Sequence, residues 1–139
     1  MKNNKTIFLF LILTFGLLIF FTIKAKKESN FVKIETISPG KTNSPQIQNG
    51  NMITIRYTNY LEDGTRLDSN EDRKTSPFKF KLGESQILKG WEEGLIGAKI
   101  GERRKVTTDY HLAYGEKGAP PIIPPKANII TEFEIINIE

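Results

Sequence analysis

The chain has no cysteine and only one histidine among its 139 residues. The absence of cysteine excludes disulfide bonds and thiol catalysis. The single histidine, His111, has no second histidine or cysteine with which to share a metal ion, which argues against a zinc site. A Ser-His-Asp triad would have to use this same imidazole, and Asp109, two residues before it, lies in a predicted loop. We therefore interpret His111 as an ordinary loop residue.

The carboxylates are also poorly arranged for general acid and base catalysis. Three acidic pairs occur, at residues 62–63, 71–72 and 92–93. Each pair consists of neighbours along the chain, whose side chains point apart or into solvent. We interpret all three pairs as solvated surface.

The excess of positive charge is confined to the start of the chain. The formal net charge is +4, but five lysines precede the first acidic residue, Glu28. Residues 28–139 hold 15 basic and 16 acidic residues, a net charge of −1. The basic balance therefore does not favour nucleic-acid binding by the rest of the chain. The one local basic cluster, Arg103, Arg104 and Lys105, is interpreted as a solvated strand edge.

The longest apolar run covers residues 7–23, IFLFLILTFGLLIFFTI. Its 17 residues are close to the minimum for a membrane span and long for the core of a signal peptide. Ile23-Lys24-Ala25 only loosely resembles a small-x-small cleavage site, so we favour an uncleaved signal anchor over residues 1–27. The protein would then be a single-pass membrane protein with its domain on the exported side, periplasmic or extracellular. A signal peptide whose cleavage secretes the protein is the alternative.

The rest of the chain predicts one small domain, residues 31–139, joined to this segment by a short polar tether at residues 28–30. Alternating and β-branched segments predict strands at 31–37, 52–61, 66–69, 77–82, 102–108 and 127–139. Asp63-Gly64 predicts a hairpin turn between the second and third strands. In the second strand Ile53, Ile55 and Tyr57 would face one side, and Thr54, Arg56 and Thr58 the other. The pattern predicts an α+β roll, an antiparallel sheet of about five or six strands folded over one short helix.

The short helix is predicted within Gln86–Gly101, which holds the only tryptophan. Its apolar residues recur at spacings of three and four, as on one face of a helix: Ile87, Leu88, Trp91, Leu95 and Ile96. A helix this short is not stable alone, and a ring as large as that of Trp91 is normally packed beneath a sheet. The glycines do not form a phosphate-binding loop, because the GxxxxGK spacing and a following Ser or Thr are missing.

Large apolar side chains from several elements would converge in this arrangement: Tyr57, Phe78, Trp91, Tyr114 and Ile123. They are interpreted either as the lining of an apolar pocket or simply as hydrophobic core. The segment 109–126 carries four of the seven prolines around Ile122 and Ile123. A rigid proline-rich loop cannot easily hide such residues in a sheet, which makes them candidates for a pocket wall.

The chain contains, in order and at compatible spacing, the segments VKIETISPG, YLEDGTRLDS, PFKFKLG, KGWEEGL, AYG and IIPPKA. Over residues 32–139 these segments closely resemble the signatures of the FKBP family, the macrolide-binding peptidyl-prolyl cis-trans isomerases. The resemblance implies a twisted antiparallel half-barrel wrapped around one short helix, which agrees with the α+β roll. It also implies isomerisation of X-Pro bonds in proline-containing polypeptides. Together with the predicted anchor, this favours a role in the folding of exported proteins. The implied activity uses no metal and no cofactor, and macrolide inhibitors are possible ligands.

The resemblance also implies roles for individual residues. Trp91 would form the floor of a proline pocket, and Tyr114 would offer its hydroxyl to a substrate carbonyl. Asp68 would lie beside the pocket with Tyr57 and Arg73 as polar partners. The implied catalytic residues are Tyr57, Asp68, Trp91 and Tyr114. The implied substrate-binding residues are Leu67, Arg73, Phe78, Ile87, Leu88, Ile122, Ile123, Thr131 and Phe133.

Three positions differ from the family pattern. Leu67 and Thr131 stand where aromatic residues are usual, and Ala119 lies near the place of a common histidine. Phe133, two residues after Thr131, would partly refill the space. These differences predict a wider, less aromatic pocket. They leave a second hypothesis open, a non-catalytic peptide-binding or chaperone module on the same fold.

Overall fold

The computed structural model describes residues 30–72 and 74–139. The predicted N-terminal hydrophobic helix over residues 7–23, the tether before residue 30 and the predicted site residue Arg73 lie outside these ranges. Within them, no helix combines the length and apolar character needed to cross a bilayer. The anchor and the export of the domain therefore stay predictions.

Six strands of the described chain form one sheet: Val32–Ser38 (β1), Met52–Leu61 (β2), Arg66–Ser69 (β3), Phe78–Lys81 (β4), Arg103–Thr108 (β5) and Ile129–Ile138 (β6). Each strand matches a predicted one, and the bounds of β2 and β3 agree at both ends. Gly64 has a positive φ of 87° in the turn between them, as the Asp-Gly signal predicts. A 3-10 helix, Tyr110–Leu112, follows β5.

The strand order is β1-β5-β6-β2-β3, and all pairs are antiparallel. β4 pairs with the first half of β2, through residues 52–55, whereas β3 pairs with its second half, at Thr58 and Tyr60. β2 therefore has β6 along one edge and two short strands along the other. The sheet curves over one short helix, which confirms the predicted α+β class and the antiparallel half-barrel.

The helix, Lys89–Leu95 (α1), is seven residues long and lies on the inner face of the sheet. Trp91 and Leu95 are 6% and 0% exposed, and burial of each side chain stabilises the fold by roughly 2 kcal/mol. The core around them contains Ile47, Ile53, Ile55, Phe80, Leu82, Ala98, Val106, Phe133 and Ile135. The prediction that Trp91 is packed beneath a sheet is confirmed.

The predicted helical face is wrong at its last residue. Ile96 is 43% exposed, because the helix ends at Leu95 and Ile96 already has extended backbone angles, φ −51° and ψ 136°. The three-and-four periodicity no longer sets the direction of its side chain there. Gly97 follows with a positive φ of 77°, as expected after a helix end.

Thr58, predicted on the face of β2 opposite Tyr57, has a buried side chain. The chain that follows β3 covers it. Its hydroxyl lies 2.6 Å from the Ser69 hydroxyl and donates to a Glu71 carboxylate oxygen at 3.1 Å. Strand alternation gives the side of a sheet on which a residue lies, but not whether a loop lies over that side.

Two glycines allow α1 to lie unusually close to β5. A Cβ atom on Gly94 would lie 2.6 Å from Cγ1 of Val106, and a Cβ atom on Gly90 would overlap the side chain of Thr108. Any larger residue would therefore push the helix away from the sheet. The backbone approach, together with Trp91, determines the position of α1.

The basic cluster at residues 103–105 is not a solvated strand edge, because β5 lies between β1 and β6. Arg104 is 6% exposed, and its Nε donates to Glu102 Oε1 at 2.8 Å. Its Nη1 also donates to the backbone carbonyls of Gly94, at 2.7 Å, and Ile96, at 3.1 Å. A buried arginine on the sheet thus satisfies carbonyls at the C-terminal end of α1.

We expect Gly90→Ala to destabilise the fold, although alanine normally stabilises a helix by about 1 kcal/mol relative to glycine. Overpacking against Thr108 should lower the free energy of unfolding by about 1–3 kcal/mol in chemical denaturation. Glu93→Ala, at an exposed site on the same helix, is the control and should change it by less than about 0.5 kcal/mol. A more stable Gly90→Ala protein would contradict the close approach of helix and sheet.

We expect Arg104→Met to lower the free energy of unfolding by about 3–5 kcal/mol, because it leaves the buried Glu102 carboxylate without its cation. Arg103→Met is the matched control on the same strand. Arg103 is exposed and lies 3.4 Å from Glu71, so its loss should cost about 0–1 kcal/mol. Equal effects of the two substitutions in denaturant titrations would show that the Arg104 pair is not buried in solution.

Candidate active site

A cleft of about 330 Å³ opens where the second half of β2, β4 and the start of α1 meet. Its aromatic lining comes from Tyr57, Phe78, Trp91 and Tyr114, and its aliphatic lining from Ile87 and Leu88. Its polar lining comes from Asn59, Asp68, Ser85 and Gln86. All four residues predicted to be catalytic thus line one cleft, although only the tertiary structure brings them together.

A second depression, of about 580 Å³, lies on the outer face of the sheet. It is lined by two arginines, two glutamates and one apolar residue: Arg56, Glu71, Arg103, Glu134 and Ile136. It offers a charged, open surface instead of an apolar enclosure. The smaller cleft is therefore the better candidate for a ligand site.

The floor of the cleft is the indole ring of Trp91. Its edge-to-face contacts hold it from two sides, with ring centroids 4.9 Å from Tyr57 and 4.9 Å from Phe133. Tyr57 in turn lies 6.4 Å from Phe78, which is 38% exposed at the edge of the cleft. The ring of Trp91 belongs to the core and to the cleft at once, so the two interpretations of the aromatic residues both hold for it.

The indole N–H of Trp91 points away from the cleft into the sheet. It donates to Thr131 Oγ1 at 3.0 Å, and Thr131 Oγ1 donates to Asn59 Oδ1 at 2.6 Å. Asn59 Nδ2 then donates to Asp68 Oδ1 at 2.7 Å. Sequence reasoning missed Asn59; the available signal was its position on β2, which continues the face predicted for Ile53, Ile55 and Tyr57.

Asp68, on β3, accepts a second hydrogen bond from the Tyr57 hydroxyl, at 3.0 Å. Burial, followed by this hydrogen bond to Asp68, raises the pKa of Tyr57 to about 12. Tyr57 is therefore a neutral hydrogen-bond donor at physiological pH. The predicted pairing of Asp68 with Tyr57 is seen, while its predicted pairing with Arg73 lies outside the described residues.

Three hydrogen-bond donors at the rim have no acceptor in the part of the chain that the structure describes. They are the hydroxyl of Tyr114 and the backbone N–H groups of Ile87 and Leu88. Tyr114 is 39% exposed, and burial of its ring, followed by the negative charge of Asp68, raises the pKa of its hydroxyl. These groups are available to carbonyl oxygens of a bound ligand.

Several predicted substrate-binding residues lie away from the lining. Thr131 and Phe133 are 0% and 1% exposed and lie behind Trp91, so they support the floor from within the core. Ile123 is also buried, whereas Ile122 is 67% exposed in the proline-rich loop, and Leu67 is half-buried on β3. Their proposed contacts with substrate stay predictions.

No group of three or more His, Cys, Asp or Glu side chains within residues 30–72 and 74–139 could hold a metal ion. His111 lies in the 3-10 helix with its Nδ1 2.6 Å from Asp109 Oδ1, and it does not line the cleft. Of the acidic pairs, Glu92 departs from the solvated interpretation, because it is half-buried and its Oε1 is enclosed without a hydrogen bond from the described residues.

Comparisons with known proteins agree on one family. Residues 43–136 match the model of the FKBP-type peptidyl-prolyl cis-trans isomerase family. The peptidyl-prolyl cis-trans isomerase Fkbp12 of Drosophila melanogaster is 37% identical over 108 residues, which make up 78% of this chain and 98% of that protein. The peptidyl-prolyl cis-trans isomerase FKBP15-2 of Arabidopsis thaliana is 45% identical over 98 residues, or 70% of this chain and 60% of that protein.

The family model spans the strands from β2 to β5, the helix and every residue that lines the aromatic cleft. Taken with the six segments noted in the sequence, the comparisons show that the chain belongs to the FKBP-type peptidyl-prolyl cis-trans isomerase family.

Proposed function

We propose that this enzyme isomerises X-Pro peptide bonds in the cleft above Trp91, and that its substrates are exported polypeptides. The observation that carries the proposal is an apolar cleft with an aromatic floor and three unengaged donors at its rim. Two relatives named as peptidyl-prolyl cis-trans isomerases support it. The proline ring would lie on Trp91, between Tyr57 and Phe78.

The reaction needs no proton transfer, only a lower barrier to rotation. An X-Pro bond isomerises over a barrier of about 20 kcal/mol, because twisting the bond sacrifices amide resonance. The twisted amide has less charge separation than the planar one, so an apolar, water-poor cleft favours it relative to the ground state. The aromatic walls and floor supply that environment.

The rim donors would hold the peptide in a bent conformation around the proline. Tyr114 would donate to one substrate carbonyl, and the backbone N–H of Ile87 or Leu88 would donate to another. Fixing carbonyls on both sides of the X-Pro bond limits the conformations that the substrate explores, which contributes through orientation. Macrolide inhibitors of the kind that the family binds would compete for the same surface.

Tyr57 and Asp68 would act by shaping the wall of the cleft. The hydrogen bond between them holds the Tyr57 ring edge-on to Trp91, with the centroids 4.9 Å apart. With a pKa of about 12, Tyr57 keeps this proton throughout the physiological range. The wall therefore stays uncharged and apolar on the side that faces the proline.

The place of action is proposed from the N-terminal sequence. The apolar run at residues 7–23, with lysines on both sides, is typical of a signal anchor, and the proposal places the domain after it on the exported side. A cleaved signal peptide that releases the domain is the alternative. In either case the substrates would be proteins that fold after export.

We expect the full-length protein, in detergent micelles, to accelerate the cis-to-trans conversion of a short X-Pro peptide. Tyr114→Phe should lower kcat/KM by about 2- to 12-fold, since one hydrogen bond contributes a net 0.5–1.5 kcal/mol. Tyr60→Phe, a tyrosine on β2 that does not line the cleft, is the matched control and should leave the rate unchanged. A folded protein that binds the peptide but gives no acceleration would instead support the non-catalytic peptide-binding module.

We expect the protein to stay with the membrane fraction after an alkaline carbonate wash. Phe15→Lys places a charge at the centre of the apolar run, at a cost of roughly 3 kcal/mol for insertion, and should release the protein. Phe15→Leu is the control and should stay membrane-bound. Recovery of the wild-type protein in the soluble fraction, with a new N-terminus near Lys26, would replace the anchor with a cleaved signal peptide.

A further inference from the structure

We infer that Asn59 and Thr131 are positioning residues that hold the Trp91 ring in the floor of the cleft and couple it to Asp68 at the rim. The inference rests on the proposed isomerase function for its catalytic consequence only. It starts from one continuous path of hydrogen bonds, which runs from the indole of Trp91 through both residues to the carboxylate of Asp68. We call these four side chains the floor relay.

The floor relay connects elements that are far apart in the sequence. Trp91 lies on α1, Thr131 on β6, Asn59 on β2 and Asp68 on β3. Its steps measure 3.0, 2.6 and 2.7 Å between heavy atoms, all within the range of good hydrogen bonds. A displacement of any one element would therefore stretch a bond in the relay.

The donor and acceptor chemistry of its two ends fixes the direction in which the hydrogen bonds of the relay run. The indole N–H of Trp91 can only donate, so the Thr131 oxygen must accept from it and must send its single proton onward. That proton goes to Asn59 Oδ1, which turns Asn59 Nδ2 towards Asp68. The carboxylate oxygens of Asp68 accept at the other end of the relay, one from Asn59 and the other from Tyr57. No group in the relay can be reversed without placing two donors or two acceptors face to face.

Burial keeps the hydrogen bonds of the relay in this direction. Thr131, Asn59 and Trp91 are 0%, 5% and 6% exposed, so water has little access to compete for their polar groups. In a low-dielectric interior such bonds strengthen one another, and a fully satisfied network fixes the geometry of its members. The aromatic contacts with Tyr57 and Phe133 limit the tilt of the indole ring, and the relay limits its rotation in plane.

The catalytic consequence concerns the transition state more than binding. A proline can rest on a slightly rotated indole, but the twisted amide must meet both the apolar floor and the rim donors at once. Misplacement of the floor should therefore lower kcat more than it raises KM. Thr131 then acts through Trp91 and does not touch the substrate, in contrast to the contact implied by the family resemblance.

The test uses the single tryptophan of the chain, whose indole gives one ¹H–¹⁵N resonance. Thr131→Val keeps the shape of the side chain and removes the hydroxyl, and Thr131→Ser restores it. We expect Thr131→Val to shift the indole proton upfield, to speed its exchange with solvent at least tenfold, and to lower kcat about three- to tenfold with a smaller change in KM. Thr131→Ser should largely restore all three: the indole shift, its exchange rate and kcat.

A matched control separates loss of the relay from loss of any buried threonine hydroxyl. Thr58→Val removes a buried threonine hydroxyl on β2 that lies outside the relay, so it should leave the indole resonance unchanged. The coupling to Asp68 is tested by Asp68→Asn, which should shift the indole resonance in the wild-type background and not in Asn59→Ala. Asn59→Ala also tests the inference if Thr131→Val fails to fold.

The relay would be overturned if the indole resonance were unchanged in Thr131→Val. It would also be overturned if Asp68→Asn shifted the indole resonance equally with Asn59 present and in Asn59→Ala. A shifted resonance with unchanged kcat would overturn its positioning role. The indole resonance is measured without substrate, so it tests the relay independently of the reaction. A wild-type protein with an intact relay and no acceleration would overturn the proposed isomerase function and, with it, the catalytic consequence.

Discussion

The fold and the cleft both depend on how closely α1 packs against the inner face of the sheet. A helix of seven residues is not stable on its own. Gly90 and Gly94 let its backbone approach β5, and Trp91 fills the space that this approach encloses. Arg104 then binds carbonyls at the C-terminal end of the helix. The helix is thus stabilised by tertiary contacts along its whole length.

The same packing produces the cleft. Because the start of α1 lies over the second half of β2, Trp91 has one side in the core and another at the base of an opening. A site built on a core residue is rigid, since moving its floor would disturb the sheet and the helix together. The more exposed groups of the cleft lie at its rim, where Tyr114 and the residues before α1 are found.

Polar groups in the core make the packing specific instead of merely compact. Arg104 and Glu102 form one buried network, and Asn59 and Thr131 form another beneath Trp91. Each group has hydrogen-bond partners, because an unpaired polar group in the interior is costly. The first network joins the end of α1 to β5, and the second joins elements that are distant in the sequence. Both therefore favour a single arrangement of helix and sheet over alternatives with similar apolar burial.

The sequence by itself determined the features that depend on neighbours along the chain. The alternation in β2 and β4, the Asp-Gly turn and the period around Trp91 are local, and the family resemblance added the set of residues around the cleft. Only the tertiary structure decided which polar residues are buried, among them Thr58, Asn59, Arg104 and Thr131. The physical reason is that alternation tells on which side of a strand a residue lies, whereas burial depends on what another part of the chain places over that side.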